Sequence, residues 1–98
     1  MECKQSTLKK RAATYHSLGC KQCEVGNWQK AIEYLNKSIE ANSKYVLSYL
    51  VRAYAYYTMG NYSSALKDCE YILNLTPDYP PILEMKFDIQ KRLLAVPK

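Results

Sequence analysis

Helix-breaking residues are scarce in this sequence: 98 residues contain 3 Gly and 4 Pro. That scarcity excludes a collagen-like or low-complexity chain, and a hydrophobic fraction of 48% excludes a disordered one. No apolar run approaches the roughly 20 residues that a membrane span needs. The opening Met1-Glu2-Cys3-Lys4 lacks the apolar stretch of a secretory signal. The expected compartment is therefore cytoplasmic, with the nucleus left open. There Cys3, Cys20, Cys23 and Cys69 should be reduced thiols. The chain is short for two domains, which argues against an enzyme with an interdomain cleft. It has 1 His, no Gly-rich phosphate loop and no Ser–His–Asp set, so no catalytic residue and no small-molecule substrate is assigned. Glu33, Glu40, Asp68 and Glu70 read as solvated carboxylates on outer helix faces.

The formal net charge is +5, which invites a nucleic-acid or membrane reading until its placement is considered. Residues 12–83 hold six basic and six acidic side chains, while residues 1–11 contribute +3 and residues 84–98 contribute +2. The surplus belongs to the two ends. No basic stripe runs along the middle, which argues against nucleic acid or membrane as the partner.

The middle of the chain repeats itself. Gly26-Asn27-Trp28 followed by Ala31-Ile32 returns as Gly60-Asn61-Tyr62 followed by Ala65-Leu66, an offset of 34 residues. The same offset pairs Tyr15 with Tyr49 and Tyr45 with Tyr79. Each unit reads as two helices, 12–25 with 28–42 and 46–59 with 62–75. The Gly-Asn pairs supply the positive φ that ends a helix. Ile32, Leu35 and Ile39, then Leu66, Cys69, Ile72 and Leu73, fall at helical spacing. Pro80-Pro81 presets the first turn of a last helix carrying Ile82, Met85, Ile89 and Leu93 on one stripe.

These residues resemble the tetratricopeptide repeat, a 34-residue helix-turn-helix unit with the pattern W-x2-L-G-x2-Y, A-x3-F, P. The first unit offers Tyr15, Leu18, Gly19 and Gln22, then Ala31 and Leu35, with Ser43 in the proline place. The second offers Tyr49, Arg52, Ala53 and Tyr56, then Ala65 and Cys69, then Pro77. Gly26 and Gly60 hold the turns, and Trp28 and Tyr62 fill gaps beside the small residues. The resemblance implies an all-α, right-handed α-α superhelix. Its parts would be a basic arm at 1–11, repeats at 12–45 and 46–79, and a capping helix at 80–98 that solvates the end of the stack.

On a wheel of about 100° per residue, Tyr49, Ala53 and Tyr56 share the core side of their helix. Leu50, Tyr54 and Tyr57 point away from it, where Tyr54 and Tyr57 would be covered either by a partner or by the terminal helix. The equivalent stripe in the first unit is His16, Cys20 and Cys23. In this family such residues line the concave surface, so the resemblance implies that these six form a partner-binding groove. Arg52-Ala53 and Asp68-Cys69 also resemble strings of the co-chaperone subgroup, whose carboxylate clamp grips acidic chaperone tails. The clamp positions themselves hold His16, Cys20, Val51, Pro81 and Met85. Gripping a carboxylate needs convergent cationic or amide donors, so tight acidic-tail binding is not expected.

Cys20-x-x-Cys23 with His16 suggests zinc or redox chemistry. A redox pair belongs at a helix start after a strand, whereas this one lies mid-helix. His16 and Cys23 are separated by about 10.5 Å of helical rise, and tetrahedral closure needs more ligands than the stripe offers. No metal and no cofactor is assigned. The expectation is a protein-interaction module, an adaptor or scaffold, taking a peptide or partner helix that is apolar and weakly charged. The alternative is a structural segment of a longer repeat array, or a module that associates with itself.

Overall fold

Two short turns built alike organise the chain. In each, the glycine adopts a left-handed backbone, φ 79° at Gly26 and φ 83° at Gly60. The amide of Asn27 bonds back to the carbonyl of Gln22, and that of Asn61 to the carbonyl of Tyr56. The glycine amides close the inner bond to Cys23 and Tyr57. This doubled bond pattern absorbs carbonyls that a helix end leaves unpaired. It reappears one repeat later because the Gly-Asn pair does.

The computed structural model describes residues 4–94, with side chains from Lys10 onward; residues 1–3 and 95–98 lie outside the described residues. The elements are α1 (Lys4–Glu24), α2 (Trp28–Ala41), α3 (Val46–Met59), α4 (Tyr62–Leu75) and α5 (Pro80–Leu94). No strand occurs among the described residues, and no helix there is long and apolar enough to cross a membrane. Short connections turn each helix back on the one before it. α1 packs on α2 and α3 on α4, with α2 against α3, α4 against α5, and a lighter contact between α1 and α3.

One boundary differs from the sequence reading. The stretch read as a basic arm is helical from Lys4, so α1 starts eight residues ahead of Ala12. Gln5, Leu8, Lys9, Lys10 and Arg11 are good helix formers, and no glycine or proline precedes Gly19 to stop the turn propagating.

Small residues set how closely the helices approach. Ala31, Ala53 and Ala65 are fully buried. At Gly19 a methyl group would sit 2.9 Å from Leu35 Cγ and Cδ2 and 3.3 Å from the Ala31 carbonyl oxygen, so α1 meets α2 where only glycine fits without a shift. Beyond this contact Ala53, Ala65, Cys69, Ile72, Ile82 and Ile89 form one buried cluster shared by α3, α4 and α5. Burial pushes the Cys69 thiol up to about 11, which keeps it a protonated packing group.

Ser43, in the proline place of the first unit, holds its loop by another means. Its carbonyl accepts from the hydroxyls of both Tyr49 (3.0 Å) and Tyr71 (3.1 Å). The two rings stack with centroids 4.0 Å apart.

Candidate partner-binding groove

In the first unit the stripe is wired into the core. Ser38 Oγ donates to the Ala12 carbonyl at 2.7 Å and lies 2.6 Å from Ser48 Oγ. Ser48 Oγ lies 3.4 Å from His16 Nδ1, and His16 Nε2 lies 3.5 Å from Cys20 Sγ. A hydroxyl carries one proton. Ser38 uses its proton on Ala12, so Ser48 donates to Ser38 and accepts from His16. His16 is thereby the Nδ1–H tautomer, and its Nε2 accepts from the Cys20 thiol. Both serines are fully buried, so the chain of bonds joins α1, α2 and α3 through their interior. Tyr45 packs edge-on to the imidazole with centroids 5.5 Å apart.

This environment lowers the pKa of His16 through burial. Burial first, and Glu24 after it, raises the Cys20 thiol. Burial, then Cys20, then Glu24 raise Cys23. All three groups are therefore held neutral, the opposite of the depressed thiol pKa that redox cysteines need. Among the described residues no three His, Cys, Asp or Glu side chains converge as a metal site would require.

The second-unit stripe divides. Leu50 and Tyr57 pack against the buried cluster that Ile82 and Ile89 of α5 complete. The Tyr57 hydroxyl donates to the Asp88 carboxylate on α5. Arg92 Nε holds the same carboxylate at 2.7 Å and lies over the rings of Tyr57 and Tyr62, at 6.0 and 5.7 Å. Tyr54 alone stays open, half exposed, with its ring edge-on to Trp28 at 5.8 Å.

Between α3 and α5 lies a cavity of about 380 Å³ lined by Leu50, Val51, Tyr54, Pro81, Ile82 and Met85. Val51, Pro81 and Met85 are three of the positions where a clamp would place polar groups; here they form an apolar wall. The stripe drawn from α1 and α3 missed this, because α5 supplies half of the lining. Its signal was the stripe Ile82, Met85, Ile89 and Leu93 of the last helix, which the sequence reading did not assign to the groove.

Asp68 departs from the outer-face reading. It is buried at 4% exposure and takes both of its bonds from Arg52, Nε at 2.9 Å and Nη2 at 2.7 Å. Arg52 Nη1 donates to Asn36 at 2.8 Å, and the guanidinium lies over the rings of Tyr49 and Tyr56. The Asp68 bond is the main reason the Arg52 pKa is raised. This pair faces away from the cavity and locks α3 to α4 and α2.

Among the described residues, five helices, two identical Gly-Asn turns one repeat apart and close-packed small residues together define the tetratricopeptide fold. The chain has that fold. A solved structure that it matches is the second TPR of Spaghetti (RPAP3) bound to HSP90 peptide SRMEEVD, with 26% identity, a TM-score of 0.83, and coverage of 91% of this chain and 82% of that one. No family model matches the sequence, and no curated protein does.

Proposed function

We propose that this chain is a protein-interaction module, a binder with no catalytic role, that seats an extended peptide across the face formed by α1, α3 and α5. His16, Cys20 and Cys23 form one wall of the groove, and Leu50, Tyr54 and Tyr57 form the other. The observation that carries this reading is the apolar cavity between α3 and α5, a concave site bordered by one half-exposed tyrosine. The solved relative of the same fold holds a peptide, which supports the class of ligand.

Its peptide, SRMEEVD, carries three acidic residues. The groove proposed here offers them no partner: His16 is held neutral, and Val51, Pro81 and Met85 are apolar. The favoured ligand is therefore a weakly charged segment with a large apolar side chain for the cavity.

Fluorescence anisotropy with labelled SRMEEVD and with a variant carrying Leu, Leu and Ala at its acidic positions tests this. The apolar variant should bind at least about tenfold more tightly, a difference of about 1.4 kcal/mol. Tyr54→Ala should remove that binding while helicity is kept. Low-micromolar binding of SRMEEVD itself would reverse the assigned preference. Failure of both peptides to bind would sink the groove assignment.

A further inference from the structure

A capping helix closes a repeat stack by presenting a polar outer face. α5 does not. Ile82 and Ile89 are fully buried, yet on the opposite side Phe87 is 63% exposed and Leu94 87% exposed. Leu83 shares their stripe at spacings of four and seven residues. The expected solvating cap therefore carries an apolar outer surface, away from the cavity that Pro81, Ile82 and Met85 line on its inner side.

The repeat register shows what does not cover it. Counting back 34 residues from Phe87 gives Ala53, and 34 more gives Gly19. At those two positions the second helix of the unit comes so close that Ala53 is fully buried and a methyl on Gly19 would meet Leu35 at 2.9 Å. A phenylalanine at this register holds off any helix seated as α2 is on α1 or α4 on α3. The face suits a partner met at a wider spacing.

The charges beside the stripe indicate which partner. Glu84 and Lys91 lie seven residues apart on one flank of Phe87, so both are on the same side of the helix. A two-fold axis passing near Phe87 sets Glu84 opposite Lys91 of the partner subunit, and Lys91 opposite Glu84 of the partner subunit. The flank complements itself, which is what a symmetric dimer demands.

We propose that α5 is a homodimerisation surface on which two copies of this chain pack antiparallel, with Phe87 at the axis. The dimer leaves both α3–α5 cavities open and so presents two grooves. One stripe on one helix buries little area, so the association is weak, with half-dimerisation at about 10 to 500 µM.

Sedimentation equilibrium of the full chain over that range tests it. The average mass should climb from 11.4 kDa towards twice that value. Phe87→Glu should stay monomeric with an unchanged helical spectrum. Glu84→Lys alone should weaken association, and Glu84→Lys with Lys91→Glu should restore it. A wild type that remains monomeric to about 1 mM, a dimer that survives Phe87→Glu, or a charge swap that restores nothing would each overturn the proposal. Peptide anisotropy on the Phe87→Glu monomer is expected to be unchanged, which separates this surface from the groove.

Discussion

The hydroxyl of Tyr57 on α3 donates to the carboxylate of Asp88 on α5, and this bond ties the closing helix to the wall of the cavity. The bond holds the Asp88 carboxyl below its ordinary value, with Arg92 assisting. It also raises the phenol of Tyr57. A depressed carboxylate pKa adds stability above its unfolded value, and that stability is lost as pH falls through the folded one. Tyr57→Phe should move the Asp88 titration upward, read by carboxyl carbon shifts in NMR. Amide exchange along α5 should quicken, while that of α1 and α2 stays as it is. An unmoved Asp88 would mean that Arg92 alone sets its charge.

The ion pair of the second unit has an internal control. Counting back 34 residues from Arg52 and Asp68 gives Leu18 and Tyr34, so the first unit fills the same two places without charge. Asp68→Ala strands a guanidinium that is only 20% exposed, and should cost about 3 kcal/mol. Arg52→Leu together with Asp68→Tyr copies the first unit into the second and should cost less than either change alone. Urea midpoints for the four proteins of the cycle measure this. Additive losses would show that the pair is not a unit.

What could be read without coordinates was local. The Gly-Asn turns, the small residues at Gly19, Ala31, Ala53 and Ala65, and the tetratricopeptide fold itself follow from residues close in sequence. Asp68 was misread because its wheel position describes α4 alone, whereas Arg52, 16 residues earlier, turns that face into an interior. Leu50 and Tyr57 also pack against the cluster that α5 completes, a contact that a wheel of α3 alone does not report. Ser38 and Ser48 carry no pattern: their burial depends on three helices meeting, and a lone serine in a helix usually faces water. Where α5 sits decides the cavity, and no periodicity within α3 reports it.

The single histidine makes the buried serine relay easy to monitor. Its pKa is lowered from 6.5 in the fold because burial disfavours the imidazolium. The unfolded chain therefore binds more protons than the folded one in that window, and stability rises with pH through it. Urea midpoints should be level above about pH 7 and fall as the solution is brought to about pH 5.5. His16→Gln should flatten most of that slope. A midpoint that rises on acidification would mean that the imidazolium is the favoured form, contrary to the proton order of the relay.

Two glycines separate two reasons for having glycine. Gly60 has no atom within 4 Å of where a methyl would lie, but its φ is +83°. Gly60→Ala should therefore cost about 1 to 2 kcal/mol from backbone strain alone, and no neighbouring substitution should recover it. Gly19 is helical, and alanine there gains about 1 kcal/mol in propensity. Against that gain, the new methyl meets Leu35 Cγ at 2.9 Å, an overpacking cost of about 1 to 3 kcal/mol. Gly19→Ala should be destabilising on balance, and Leu35→Val should relieve it, so that the double mutant loses less than the two single losses added. Thermal unfolding of the four variants decides between the two origins. Equal and additive losses at Gly19 would leave the close approach of α1 to α2 without energetic weight.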